Sequence, residues 1–128
     1  MHRDLKTANI FMTDEHTCKV GDLGASRMMQ STNQKGTTGV GTFNYFPPEV
    51  LLDDLPNSQK SDIWTLGCIL YNLCTFEHPF QTKNYRTLKE YIDELKEKLE
   101  VYEYAEIPSS RYSEDLRRFV DFLLTKSP

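Results

Sequence analysis

The sequence lacks the marks of several common protein classes. Its three cysteines, Cys18, Cys68 and Cys74, are odd in number and have no C-x-x-C spacing, which argues against a disulfide framework or a zinc site. Its histidines are too dispersed for a metal cluster. No apolar run approaches the length of a bilayer span, and the first residues do not resemble a signal peptide. We therefore expect a cytoplasmic location, with the nucleus or the cytoskeleton as alternatives.

Clusters of positive charge are also missing. The chain has 15 basic and 19 acidic residues, a net charge of -4, and its Lys and Arg residues are scattered. Nucleic acids and anionic membranes bind clustered Lys and Arg, so we expect neither as a partner. A hydrophobic content of 38% in 128 residues is that of an ordinary globular unit, and we expect a single domain over residues 1–128.

The side chains suited to chemistry are concentrated in the first nine residues. Asp4 can accept a hydroxyl proton, Lys6 can neutralise charge on a phosphoryl group, and Asn9 offers a hard carbonyl oxygen to Mg²⁺. A second metal ligand, Asp22, follows a predicted β-hairpin that returns the chain to Asn9. Either fragment alone is a common surface or turn sequence, and only their combination points to catalysis.

Residues 25–42 are rich in Ser, Thr, Gly, Gln and Asn, and we interpret them as a mobile loop. Phosphorylation of a threonine there would add negative charge that Arg3 could bind. The alternatives are an ordinary solvated loop and a linker between two domains, although too few residues precede it for a domain.

Helices are predicted for most of the remaining chain. A short helix is expected at 50–52, a helix buried on all sides at 58–75, an amphipathic helix from 84 to about 100, and a last helix capped by Ser113. Gly67 interrupts the buried helix, which indicates close packing by another segment. In the last helix, Leu116, Phe119, Val120, Leu123 and Leu124 are expected to face inward.

These features together resemble the C-terminal lobe of a eukaryotic protein kinase, most closely that of the NIMA-related serine/threonine kinases. The first stretch fits the kinase catalytic-loop pattern H-R-D-L-x-x-x-N. The resemblance covers the whole chain and implies a mainly α fold with a small β-hairpin at the catalytic loop. The matching segments are residues 2–9, 21–24, 41–42, 47–49, 61–68 and 73–80.

The resemblance implies ATP and Mg²⁺ as cofactors and protein Ser/Thr as the substrate. Asp4 would act on the acceptor hydroxyl, Lys6 would contact the γ-phosphate, and Asn9 and Asp22 would hold Mg²⁺. Thr38 would be the activating phosphorylation position.

The remaining residues would support this centre. Thr42 would pair with Asp4 and Lys6, and His2 and Leu23 would join the apolar stack that couples the two kinase lobes. Asp62 would anchor the backbone of the turn at residues 2–3. Glu49 would pair with an arginine on a helix beyond residue 128.

The sequence also departs from the family pattern. Leu23 replaces the commoner Phe, and Pro47 replaces Ala. The Gly-rich phosphate loop, the strand lysine and its glutamate partner, which kinase phosphoryl transfer requires, do not occur in the 128 residues. Two hypotheses follow: a truncated kinase catalytic domain whose activity alone is very low, or an inactive kinase-lobe remnant that binds a regulatory protein partner. In either case the helix at 58–75 should expose an apolar patch.

Overall fold

The computed structural model describes His2 and residues 4–21 and 43–126. Over these residues the fold is mainly α with one small β-hairpin, as the resemblance implies. Its elements in chain order are a 3₁₀ turn at Thr7–Asn9, β1 (Ile10–Met12), β2 (Cys18–Val20), α1 (Pro48–Leu51), α2 (Gln59–Thr75), α3 (Leu88–Val101) and α4 (Glu114–Leu123). None of these helices is long and apolar enough to cross a membrane.

The predicted hairpin is confirmed. Strands β1 and β2 are antiparallel, and Ile10 pairs with Val20. His16 lies in the turn between them with a φ of 60°. The amide of Gly21 donates a hydrogen bond to the carbonyl of Asn9 at 2.8 Å. The hairpin therefore returns the chain to the residue at which it left the 3₁₀ turn.

Helix α2 is the central helix of the core, and its predicted bounds are confirmed. Ser58 and Ser61 form a capping box at its start. Their side chains accept hydrogen bonds from backbone amides that would otherwise lack acceptors, which fixes where the helix begins. The prediction that α2 is buried on all sides is wrong. Ile63 and Leu73 are 50% and 58% exposed. The expected exposed apolar face is therefore present among the described residues.

Close packing at Gly67 is also confirmed. A methyl group at this position would lie 2.9 Å from Leu124 Cδ2 and 3.0 Å from Leu123 Cβ. The glycine lets α4 approach the backbone of α2, because any side chain there would overlap with Leu123 and Leu124.

Helix α3 begins at Leu88 and not at residue 84 as predicted. Thr87 and Glu90 form a capping box, which provides the first amides with acceptors and sets the start of the helix. Its inner face consists of Tyr91, Leu95 and Leu99, all buried.

Helices α1 and α4 complete the core. Helix α1 begins at Pro48, earlier than predicted, because a proline is well suited to the first helical turn. It packs against α3, while α4 packs against α2. Ser113 caps α4 as expected, and its oxygen accepts from the amide of Leu116. The prediction that Phe119 faces inward is wrong, since this side chain is 48% exposed.

Candidate active site

His2, at the start of the described chain, is held by hydrogen bonds of both its backbone amide and its ring. The backbone amide of His2 donates to Asp62 Oδ2 at 2.6 Å, which is the contact that the resemblance predicts. The ring atom Nε2 of His2 lies 2.9 Å from the carbonyl of Gly21. Because a carbonyl only accepts, this Nε2 carries the hydrogen, and Nδ1 is free to accept from the amide of Asp4 at 3.3 Å. The ring thus joins the turn at residues 4–9 to the end of the hairpin.

Three of the predicted site residues lie together. Lys6 Nζ donates to Asp4 Oδ2 at 3.0 Å, and Asn9 Nδ2 lies 3.3 Å from the same oxygen. Asn9 Nδ2 also donates to the carbonyl of Asp4 at 2.8 Å. Asp4 and Lys6 are both partly exposed, so the ion pair contributes little to stability on its own. Its consequence is geometric, because it holds the carboxylate and the ammonium at one place in the loop.

Asn9 offers one free atom to a metal ion. The side chain is 6% exposed and closes the 3₁₀ turn. Both of its hydrogen bonds within the described chain use Nδ2, which leaves Oδ1 without a partner there. An amide oxygen is a hard donor that suits Mg²⁺. The described residues hold no group of three or more His, Cys, Asp or Glu side chains that could bind a metal.

A polar bridge that the sequence did not reveal supports the loop. Thr7 Oγ1 lies 3.0 Å from the hydroxyl of the buried Tyr45, and Thr65 Oγ1 donates to the carbonyl of Tyr45 at 3.1 Å. The turn at residues 4–9 is thereby linked to α2 through the segment that precedes α1. Thr7 lies inside the H-R-D-L-x-x-x-N stretch and Tyr45 lies between two matched segments, but residue type alone did not show that they would meet.

Glu49 and Asp62 both contact neighbouring segments. Asp62, in the first turn of α2, receives the amide of His2, and Glu49 Oε1 accepts from Ser61 Oγ at 3.2 Å. Pairing of Glu49 with an arginine beyond residue 128 stays a prediction.

The remaining candidate residues lie outside the described part of the chain. They are Arg3, Asp22, Leu23, Thr38 and Thr42. Their roles stay predictions, including the return of Asp22 beside Asn9 and the phosphorylation of Thr38.

A family model for the protein kinase domain matches residues 1–128. The chain belongs to the protein kinase family. Its relatives identify the branch: the mouse serine/threonine-protein kinase Nek3 is 47% identical over 88 residues, which is 69% of this chain. Mouse Nek1 is 38% identical and a probable Dictyostelium discoideum kinase, nek3, is 37% identical, each over 100% of this chain. The predicted resemblance to NIMA-related kinases is confirmed.

This kinase chain spans only a small part of those relatives. It covers 17% of mouse Nek3, 10% of mouse Nek1 and 11% of the Dictyostelium kinase. Family membership therefore applies to the 128 residues, whereas the activity, substrates and partners of a whole protein are matters for proposal.

Proposed function

We propose that this chain is the C-terminal-lobe part of a serine/threonine protein kinase domain that transfers the γ-phosphoryl group of ATP to protein hydroxyl groups. The supporting observation is the cluster in which the Asp4 carboxylate lies 3.0 Å from Lys6 Nζ and 3.3 Å from Asn9 Nδ2. Phosphoryl transfer depends mainly on the positioning of the reacting groups and on electrostatic stabilisation of the transferred phosphoryl group. In this cluster Asp4 serves the first purpose and Lys6 serves the second.

Each side chain has a distinct role in the proposed reaction. Asp4 accepts the proton of the substrate hydroxyl as that oxygen forms a bond to the γ-phosphorus and the bond from the γ-phosphorus to the ADP oxygen breaks, so that ADP leaves. Lys6 places a positive charge beside the transferred group, where negative charge is spread over the phosphoryl oxygens. Asn9 fixes the orientation of Asp4 through the hydrogen bonds of its Nδ2.

Magnesium fits the oxygen donors of this proposed site. Asn9 Oδ1 and the Asp22 carboxylate would hold it. When bound, the ion neutralises charge on the phosphate oxygens of ATP. The position of Asn9 supports this assignment, since its side chain is only 6% exposed and its Oδ1 has no hydrogen-bond partner in the described chain.

The proposed activity also needs groups that these 128 residues do not contain. A Gly-rich loop, a strand lysine and its glutamate partner complete the nucleotide site of kinases. We propose that sequence upstream in the same reading frame encodes them. Sequencing the full transcript tests this, and a verified stop codon directly upstream would contradict it.

The catalytic assignment is tested by phosphate transfer from radiolabelled Mg-ATP to a generic Ser/Thr substrate, using the protein encoded by the full reading frame. We expect Asp4→Asn to lower the rate by about 10²- to 10⁴-fold, the usual contribution of a general base. Asp14→Asn is the matched control, because Asp14 is an exposed residue of the hairpin turn. Equal rates for the two variants would refute the role of Asp4.

A second candidate function is that of a non-catalytic module that binds a regulatory protein. The half-exposed Ile63 and Leu73 on α2 favour it, because apolar patches of this kind recruit partners or cause aggregation. Transfer of phosphate by the purified 128-residue chain, abolished by Asp4→Ala, would contradict this candidate. A monodisperse chain that melts cooperatively and binds little hydrophobic dye would also count against it.

A further inference from the structure

A cleft of about 600 Å³ lies on the part of the fold that follows α2. Its walls are the loop from Glu77 to Asn84, the second half of α3 and the segment 103–105. None of its lining residues belongs to the candidate active site. Its volume lies within the range of about 300–1,000 Å³ that is usual for ligand sites. The cleft is therefore a separate feature that the proposed kinase chemistry does not use.

The charges around this cleft do not cancel. It has four glutamates and two lysines, and each lysine is paired: Lys83 with Glu77 at 2.8 Å and Lys98 with Glu94 at 3.2 Å. The other two glutamates are Glu97 and Glu103. Both are exposed, and neither has an ion-pair partner within the described chain. The cleft thus presents a net negative charge of about two to a ligand.

Aromatic rings form the apolar part of the same cleft. Tyr71 and Tyr104 meet edge to face, with ring centroids 5.6 Å apart. Their hydroxyl groups already donate to the carbonyl of Ala105 and to Asp121, at 2.9 and 2.8 Å. The hydroxyl hydrogens are thus already used within the fold. Tyr71 is only 2% exposed, so the apolar surface open to a ligand is that of the partly exposed Tyr104 and of Val101, which is 66% exposed.

We propose that this cleft binds a basic peptide segment of a partner protein, with an arginine or lysine side chain placed between the Tyr104 ring and the two unpaired glutamates. These side chains combine an aliphatic stem with a cationic head, which matches an apolar wall beside unpaired carboxylates. Cations are also attracted to the faces of aromatic rings. An acidic segment is not the favoured occupant, because the negative charge of the cleft would repel it.

The cleft contacts Tyr45, the residue that links Thr7 of the candidate active site to α2. His78, in its wall, packs edge to face on Tyr45 with ring centroids 4.8 Å apart. Tyr45 in turn reaches Thr7 of the catalytic loop through its hydroxyl. A bound segment would therefore lie on the same packed unit as the catalytic loop, yet its binding requires neither nucleotide nor Asp4.

The test is fluorescence anisotropy with two labelled peptides and the 128-residue chain, without ATP or metal. One peptide is a twelve-residue Gly-Ser sequence with three arginines, and the other carries citrulline at those positions, which removes the charge and keeps the shape. The variant Glu97→Gln/Glu103→Gln removes the unpaired carboxylates. The control Asp53→Asn/Asp54→Asn removes two charges from an exposed turn outside the cleft.

We expect the arginine peptide to bind more tightly than the citrulline peptide. The cleft variant should weaken arginine-peptide binding by about threefold to thirtyfold, the effect of two partly exposed ion pairs, and the control variant by less than about twofold. The variant Glu97→Lys/Glu103→Lys, if its melting temperature is unchanged, should reverse the charge preference. It should bind a third peptide, with glutamates in place of the three arginines, more tightly than the arginine peptide.

Failure of both peptides to bind, or equal effects of the cleft and control variants, would overturn the proposal. Equal binding of the arginine and citrulline peptides would also overturn it. Because the assay omits nucleotide and leaves Asp4 intact, a negative result would not bear on the proposed kinase activity.

Discussion

The substitution Asn9→Asp tests the candidate active site through its folding stability. Asn9 Nδ2 donates to the carbonyl of Asp4 at 2.8 Å and lies 3.3 Å from Asp4 Oδ2. An aspartate at this position loses the donor and places a second carboxylate beside the first. The substitution therefore converts an attractive contact into a repulsive one without a large change in volume.

The magnitude follows from these distances. Two unit charges 3.3 Å apart repel by about 5 kcal/mol at an effective dielectric constant of about 20. Lys6 Nζ, 3.0 Å from the same Asp4 oxygen, offsets part of this repulsion, and relaxation of the loop removes more. Loss of the hydrogen bond to the Asp4 carbonyl adds about 1–3 kcal/mol if that group stays unpaired. We expect a loss of about 3 kcal/mol in the free energy of unfolding at pH 7.

Urea denaturation of the 128-residue chain at pH 7 and at pH 5 measures this loss. The destabilisation should be smaller at pH 5, because a proton shared by the two carboxyl groups removes the repulsion. Asn57→Asp is the control, since Asn57 is exposed in a turn, and it should change stability by less than about 0.5 kcal/mol at either pH. A loss at Asn9 equal to that of the control, or one independent of pH, would refute the proximity of these groups.

Three further predictions concern the core, a helix end and a partly buried histidine. Gly67→Ala should destabilise the chain by about 1 kcal/mol in denaturant, because overlap with the side chain of Leu124 exceeds the gain in helix propensity, and a stabilised variant would contradict this packing. Phe76→Gly should stabilise by about 0.5–1 kcal/mol, since Phe76 has a φ of 60° and an 84% exposed side chain; a lower melting temperature would count against it. Burial lowers the pKa of His78, so its contribution to stability is present above about pH 6.5 and is lost as pH falls below that value. The melting temperature should therefore fall less steeply from pH 7 to 5.5 in His78→Asn than in the original chain or in the control His16→Asn, and equal slopes would refute this.

Local signals in the sequence predicted much of the fold. Ser113 precedes two acidic residues and caps α4 as predicted, and Ser58, at the predicted start of α2, caps that helix in the structure. Gly67 inside α2 correctly indicated close packing. Thr87 and Glu90 have capping-box spacing, which marks the start of α3 more exactly than the apolar periodicity that favours a start at residue 84.

What the sequence did not predict depends on contacts between distant segments. Ile63 and Phe119 are apolar residues at helical positions, yet each is about half exposed, because periodicity counts apolar residues and does not say which neighbours cover them. The bridge from Thr7 to Tyr45 joins residues 38 positions apart. Likewise, the acidic cleft combines a loop, half of a helix and a following segment, and no single stretch of sequence carries its charge pattern.

The candidate site was predicted mainly through short-range motifs. Asp4, Lys6 and Asn9 lie within six residues, so a tight turn brings them together almost regardless of the rest of the fold. Asp62, by contrast, is 60 positions from His2, and its contact was expected only because the sequence resembles kinases.

The most direct test of the account is the position of the bound metal. Mn²⁺ with ADP, added in place of Mg²⁺ to the isotope-labelled protein encoded by the full reading frame, broadens the NMR signals of nearby groups. We predict the strongest broadening at the side-chain amide of Asn9 and the backbone amide of Gly21, and its loss in Asp22→Asn. Broadening centred on the glutamates of the cleft, with the Asn9 signals unaffected, would contradict the assignment of residues 4–9 as the catalytic loop of a kinase.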